Sequence, residues 1–234
     1  MALYRILKRA IDIVLSTFLL IALAPILLLV CILLLLFEGR PIFYNSRRYT
    51  EQNRSITVYK FRTMARDAKS DRYDLRGRFM REGFLDIPLT CEVFTPIGRL
   101  LERTQIVETP QFFNVIAGQM SLIGNRPLPR ENVDLLKMHE SWRGRFDSPA
   151  GISGIAQVVG KLNLQPAERL ALETSYSDVY RNGNILKCDL VIFLYTIRAF
   201  FHSRFMSFDS AQSLLRRALA PSAPKVGAMR PTSR

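Results

Sequence analysis

Residues 104–127 read TQIVETPQFFNVIAGQMSLIGNRP, and the rest of the chain is organised around them. Among apolar residues they carry one carboxylate (Glu108), one guanidinium (Arg126), several Asn and Gln side chains, and the punctuators Pro110, Gly118, Gly124 and Pro127. A carboxylate beside a proline, just ahead of an apolar turn, suits a helix start, where free backbone N–H groups favour negative charge. The turn Gly124-Asn125-Arg126-Pro127 offers a rigid backbone and one head able to bind phosphate through paired hydrogen bonds. Together these residues point to a site for a phosphorylated ligand with a metal. Ordinary Pro and Gly turns with one stray arginine share this composition, so the neighbouring segments must decide.

The chain has 234 residues, 48% of them hydrophobic, enough for one domain of ordinary core size plus an extra apolar element. Lys+Arg of 33 against Asp+Glu of 20 leave a formal charge of +13. Such an excess suits nucleic acid, an anionic membrane face or polyphosphate substrates. Nucleic acid ranks last, because no RNP-like, zinc-finger or helix-turn-helix signature appears. Cys31, Cys91 and Cys188 have no metal-like spacing, and their odd number argues against a disulfide framework. With His139 and His202 as the only histidines, a His-based metal site or triad is not expected.

Residues 11–37 are almost wholly apolar, broken by Asp12, Ser16 and Thr17. As a helix the run is roughly 40 Å long, more than the ~30 Å hydrocarbon core of a bilayer. It lacks the short core and small-residue cleavage site of a signal peptide, so it is expected to stay attached. Pro25, near its centre, removes a helical hydrogen bond and predicts a kink. Arg5, Lys8 and Arg9 precede the run, and Arg40, Arg47, Arg48 and Arg54 follow it, so both flanks prefer the cytoplasm. A kinked helix that dips into one leaflet and returns satisfies both flanks. A tilted anchor with a tolerated proline remains the alternative.

Residues 41–64 read as a short strand, a polar turn and a strand over 55–61. Lys60 and Arg62 lie two apart, hence on one face of an extended strand, where they can meet one phosphate group or simply form a solvated edge. Residues 65–82 are charged and mostly helical in pattern, and 83–94 read as a loop. A helix starts at residue 97, and an amphipathic one is expected over 128–145, with Trp142 packing near its end against the core or the membrane interface. Residues 148–159 read as a compact loop and 165–180 as a helix with Pro166 in its first turn. Residues 186–201 are apolar but short for a span, which suits a helix lying along the membrane interface. From Pro221 the tail is rich in Pro, Ala, Ser and basic residues and is expected to be disordered.

YKFRTM, TPIGRLLERT, VETPQFFNVIAGQMSLIGNRP and PAGISGIAQVVG follow one another behind a Pro-interrupted apolar helix. In this the chain resembles the bacterial sugar transferases, the monotopic phosphoglycosyl transferases that initiate glycan assembly. The resemblance covers roughly residues 8–199. It implies a small α/β membrane-associated domain with a Pro-kinked re-entrant N-terminal helix and interfacial amphipathic helices. Its implied boundaries are a membrane helix over 1–40, a phosphoglycosyl transferase domain over 41–203, and a disordered tail over 204–234. The implied activity is transfer of a sugar-1-phosphate from a UDP-sugar to a polyprenol phosphate, typically undecaprenyl phosphate, with release of UMP. The implied cofactor is Mg²⁺, and the implied place is the cytoplasmic face of a bacterial inner membrane. Partners are then the UDP-sugar, the polyprenol phosphate and membrane lipid, without nucleic acid; a homo- or hetero-oligomer is left open. By the same resemblance Glu108 is the Mg²⁺ ligand, Pro110 and Gln111 complete its motif, Arg126 and Pro127 hold phosphate, and Lys60 and Arg62 line the site.

Four positions depart from the family pattern. Val107 stands where the resemblance leads one to expect the nucleophilic aspartate, Thr109 in place of leucine, Asn125 in place of proline, and Glu102 in place of a basic residue. Valine has no lone pair to attack phosphorus, which closes the usual phosphoryl-enzyme route. Three readings follow: direct attack by the polyprenol phosphate, with Glu108 holding the metal; Glu108 itself as nucleophile; or a non-catalytic protein that binds a nucleotide sugar or a partner enzyme. If the rest of the site is intact, Val107→Asp is expected to raise turnover.

Overall fold

The computed structural model describes residues 2–50, 54–81, 84–160, 163–202 and 204–219. Helix α1 (Ala2–Leu33) runs on through Pro25 without leaving helical geometry and ends in a wider π turn, Leu34–Glu38. One stripe of α1 turns toward the rest of the molecule: Lys8, Asp12, Ser16, Leu19, Leu23, Leu27, Val30 and Leu34, all buried or half-buried. Their spacing of three and four residues is one face of a helix. The opposite face is apolar and exposed, with Val14, Phe18, Ile21, Leu28 and Leu36 among its side chains.

Both ends of α1 are fixed to the same body. Near the N-terminus Lys8 Nζ meets Asp189 Oδ2 at 2.6 Å, and Asp12 accepts hydrogen bonds from the Ser121 hydroxyl at 2.7 Å and the Leu122 N–H at 3.1 Å. Asp12, which interrupts the apolar run, and Lys8, which precedes it, are therefore anchors. Near the C-terminal end Val30 and Leu34 pack against Phe61, Leu101 and Val107. There Arg62 Nη2 donates to the carbonyls of Glu38 at 2.9 Å and Gly39 at 3.0 Å, where the helix dipole favours a cation.

Strands β1 (Phe43–Tyr49) and β2 (Ser55–Phe61) form an antiparallel hairpin, with Tyr44 opposite Lys60 and Arg48 opposite Ile56. A short pair, β3 (Met80–Arg81) with β4 (Phe84–Leu85), is also antiparallel, whereas β5 (Ser121–Ile123) and β6 (Gly151–Ser153) run parallel. The fold thus mixes helix and sheet, with the strands of the described residues in three two-stranded ladders. Among the described residues, helix α2 (Leu75–Phe79) is the α-helix in the segment read as mostly helical. Asp74, in the left-handed region at φ 40°, caps it and turns the chain. The compact loop expected over 148–159 instead supplies β6 and helix α6 (Ile155–Val159).

Helix α3 (Pro96–Arg103) sits hard against Thr63 because Gly98 has no Cβ; one would lie 1.9 Å from the Thr63 carbonyl oxygen. Beyond it come α4 (Gln111–Ile116), α5 (Arg130–Leu136) and a 3₁₀ segment, Glu140–Phe146, where Trp142 packs edge-on against Phe146 in a buried cluster. Helix α7 (Pro166–Asn182) starts with Pro166 and a Gln165/Glu168 capping box. Helix α8 (Ile185–His202) buries Ile185, Cys188 and Ile192 and exposes Leu190, Leu194, Ile197 and Phe201.

The tail expected from residue 204 needs correction. Its first part forms helix α9 (Phe208–Leu219), whose Ala211, Leu215 and Ala218 are buried in the largest core cluster with Leu172, Tyr176 and Val179. Small and apolar residues at helical spacing there outweigh the polar composition. Residues 220–234 lie outside the described residues.

Candidate functional site

The site forms where β2, the turn after α3 and the turn after β5 converge. Gln105, at φ 56°, reverses the chain after α3 into a 3₁₀ turn, Ile106–Glu108. Val107 faces inward, 2% exposed, among Val30, Leu34, Phe61 and Leu101. Glu108, the next residue, turns to the opposite partners. Its Oε1 receives Lys60 Nζ at 2.5 Å and Arg126 Nη2 at 2.6 Å, while Oε2 has only a long contact, 3.4 Å, from Arg126 Nη1. Two cations, and not the start of α4, hold this carboxylate.

The ionisation behaviour follows from that geometry. Burial alone would raise the pKa of Glu108, but the charges and hydrogen bonds of Arg126 and Lys60 hold it well below the ordinary carboxylate range. Burial lowers the pKa of Lys60, an effect that Glu108 partly offsets. Arg126 is pushed the other way, further toward its charged form, chiefly by Glu108. The carboxylate is therefore an anion throughout the working pH range.

Arg126 is itself held from behind. Its carbonyl accepts from Arg145 Nη2 at 2.9 Å, and Arg145 is paired through Nε with Glu173 Oε2 at 2.7 Å. Asn125 Nδ2 donates to the carbonyls of Arg145 and Glu173, both at 2.8 Å. A proline at 125 has no side-chain donor, so asparagine does specific work at this departure from the family pattern. Gly124 and Gly151 allow β5 and β6 to approach closely; a Cβ on Gly151 would lie 2.1 Å from the Gly124 nitrogen. Pro127 then leads to Leu128, which exchanges backbone hydrogen bonds with Tyr49 at 2.8 and 3.2 Å.

Lys60, Glu108 and Arg126 are thus brought together, with Pro127 next to Arg126 in the chain, and two other expected site residues sit apart from that contact. Arg62 is buried and turned to Glu38 and Gly39 at the end of α1, with Nε and Nη1 unpartnered. Gln111 is buried at the first position of α4, its Nε2 also without a partner. Glu102 accepts the Thr63 hydroxyl at 3.0 Å, and its charge reaches Arg126.

Arg48 is the residue that sequence reasoning missed. It shares the inner face of the hairpin with Lys60, because directly paired and alternate residues point the same way. The Tyr49–Leu128 bridge draws its end of β1 beside the Arg126 turn. Burial, and then repulsion from Arg126, lower its pKa. In the dipeptide Arg47-Arg48, only the pairing register tells which arginine faces the site.

Among the described residues, no group of three or more His, Cys, Asp or Glu side chains forms a metal cage. A single carboxylate nevertheless fits Mg²⁺, which commonly takes one or two protein carboxylates and completes its shell with phosphate oxygens and water. Here Oε2 of Glu108 keeps acceptor capacity, since both short contacts fall on Oε1.

The pattern that defines the family described as "Bacterial sugar transferase" matches residues 3–203. The exopolysaccharide production protein ExoY of Sinorhizobium fredii is 31% identical over 209 residues, covering 84% of this chain and 86% of that protein. The UDP-glucose:undecaprenyl-phosphate glucose-1-phosphate transferase of Klebsiella pneumoniae is 30% identical over 196 residues, 82% of this chain and 40% of the relative. The UDP-N-acetylgalactosamine-undecaprenyl-phosphate N-acetylgalactosaminephosphotransferase of Aeromonas hydrophila is likewise 30% identical, over 83% of this chain and 44% of the relative. The chain therefore spans less than half the length of the last two.

Proposed function

The chain belongs to the bacterial sugar transferase family, and from that premise we propose that it transfers a sugar-1-phosphate from a UDP-sugar to undecaprenyl phosphate or a similar polyprenol phosphate. The observation that carries this reading is the convergence of Lys60 and Arg126 on Glu108, beside the end of an apolar helix. Phosphoryl transfer depends mainly on positioning and on neutralising charge, and this cluster offers both. An oxygen of the acceptor phosphate attacks the sugar-side phosphorus of the donor. The bond from that phosphorus to the bridging oxygen breaks, and UMP leaves with the electron pair.

Glu108 would hold Mg²⁺ through Oε2, and the ion would neutralise the diphosphate while bound. Arg126 and Lys60 orient the phosphates, and Val107 with Leu34 and Phe61 excludes water on the helix side. A glutamate wrapped by two cations is a weak nucleophile, which favours direct attack over a glutamyl-phosphate route.

The membrane arrangement has its own support. A helix whose two ends are bonded to one polar body cannot leave that body on the far side of a bilayer. We read α1 as entering and leaving the cytoplasmic leaflet of the inner membrane on one side. Exposed Leu190, Leu194, Ile197 and Phe201 of α8 would lie in the same interface.

A second reading, a non-catalytic nucleotide-sugar or partner-binding protein, is favoured by one observation: position 107 is an apolar packing residue. Purified protein in detergent with Mg²⁺, undecaprenyl phosphate and a panel of UDP-sugars separates the two. UMP release well above a Glu108→Ala control, and only when the acceptor is present, is expected for direct attack. UMP released without acceptor would point to a covalent intermediate. None with any sugar would leave the binding role.

A further inference from the structure

We propose that Arg48 is the diphosphate receptor of this site. Lys60 and Arg126 each make their shortest contact with Glu108, at 2.5 and 2.6 Å, so part of their donor capacity is already taken up. Among the described residues Arg48 makes no ion pair; its Nε donates to the Ser46 hydroxyl at 2.9 Å, which fixes the plane of the guanidinium and leaves the Nη donors without a partner there. Ser46 and Arg48 lie on the hairpin face that carries Lys60, and the Tyr49–Leu128 bridge sets that end of the strand beside Arg126.

Charge supports the same assignment. Arg48, Lys60 and Arg126 outnumber Glu108, with Glu102 also acting on Arg126 and Glu131 on Arg48, and the half-buried Arg48 feels Arg126 as a like-charged neighbour. A diphosphate carries the complementary charge. Bound across Arg48 and Arg126, it relieves that repulsion and accepts paired hydrogen bonds from a fork already oriented. This deepens the transferase reading, since it takes the ligand to be the diphosphate of the nucleotide sugar.

Arg47 supplies an internal control. It is adjacent in sequence and carries the same charge, but it lies on the opposite, exposed face of β1. Titration calorimetry of the full chain in detergent, without Mg²⁺, would use UDP and inorganic pyrophosphate as probes. Arg48→Ala is expected to weaken both by about 10- to 100-fold, the range for a lost charge-assisted pair, and Arg48→Lys by less. Arg47→Ala is expected to stay within about twofold. Circular dichroism melting checks that each variant remains folded, and the lysine variant keeps the test open if the alanine variant does not.

Equal weakening in both alanine variants, or an unchanged affinity in Arg48→Ala, overturns the assignment while UDP binding by the parent chain still stands. Pyrophosphate binding that depends on Arg48, without UDP binding, upholds the receptor and removes the nucleotide. Binding of neither anion by the parent chain overturns it outright.

Discussion

Two glutamates in this molecule are each held by two cations, and they differ in what surrounds them. Glu173 meets Arg145 at 2.7 Å and Arg169 at 3.2 Å, with side chains 3%, 1% and 16% exposed respectively. Glu108 meets Lys60 at 2.5 Å and Arg126 at 2.6 Å, with side chains 14%, 22% and 36% exposed. Around Glu173 the charges are backed by Asn125, Ser148 and Ser177, which hydrogen-bond one another and the carbonyls of Arg145 and Glu173. Around Glu108 one carboxylate oxygen and the Nη groups of Arg48 lack close partners among the described residues. The same charge motif is closed in one place, where it fixes the backbone of Arg126, and open in the other, where a ligand can complete it.

The largest expected effect comes from the closed cluster. Glu173→Ala leaves Arg145 buried without its counter-charge, a change that typically costs about 3–5 kcal/mol. Urea unfolding of the solubilised protein should show that loss, together with weaker nucleotide binding because the Arg126 turn loosens. A loss under about 1 kcal/mol would mean the two clusters are not different in kind.

Val107→Asp ranks second. The side chain lies among Val30, Leu34, Phe61 and Leu101, so an aspartate there is buried without a partner, at a cost of about 2–3 kcal/mol. Thermal unfolding should move down accordingly. A rise in UMP release in spite of that loss would show that position 107 reaches the diphosphate after all, and the apolar boundary between the helix and the open cluster would be redrawn.

Acid acts on both clusters in the same direction. Burial pushes both carboxyls up, but the paired cations outweigh it, so both fold-state pKa values lie below those of the unfolded chain. Each pair therefore contributes stability that is present above the unfolded value, about 4.3, and is lost as pH falls toward the folded one. Melting temperatures between pH 7 and pH 3 should fall less steeply in Glu108→Gln and Glu173→Gln than in the parent chain. A parallel decline in all three would place the acid sensitivity elsewhere.

The contrast also shows what the sequence could reveal. The meeting of Lys60, Glu108 and Arg126 was legible because three separate motifs each carried one charged residue beside rigid punctuation. The role of Arg62 was not. Strand alternation puts it level with Lys60, yet its guanidinium is drawn to the carbonyl end of α1, a contact between segments that no local spacing encodes. Helix α9 was missed because its polar composition hid a short stripe, Ala211, Leu215 and Ala218, that has meaning only beside α7. Arg48 and Asn125 belong to the same class, since a register and a buried hub made from four segments decide what they do.

The smallest stability change is expected for Glu108→Gln, about 1 kcal/mol or less, because Lys60 and Arg126 can recover water at a half-open site. Its effect on ligands should be larger and should change sign with the metal. Without Mg²⁺ the variant carries one more surplus positive charge than the parent, so inorganic pyrophosphate should bind it more tightly and raise its melting temperature further. With Mg²⁺ present the parent should bind pyrophosphate better, because only it offers a carboxylate oxygen for the ion to share with the phosphates. A crossing of the two affinities as Mg²⁺ is added would mark Glu108 as a ligand residue in an open cluster. The same ranking with and without the metal would mean that Glu108, like Glu173, serves only to hold its cations in place.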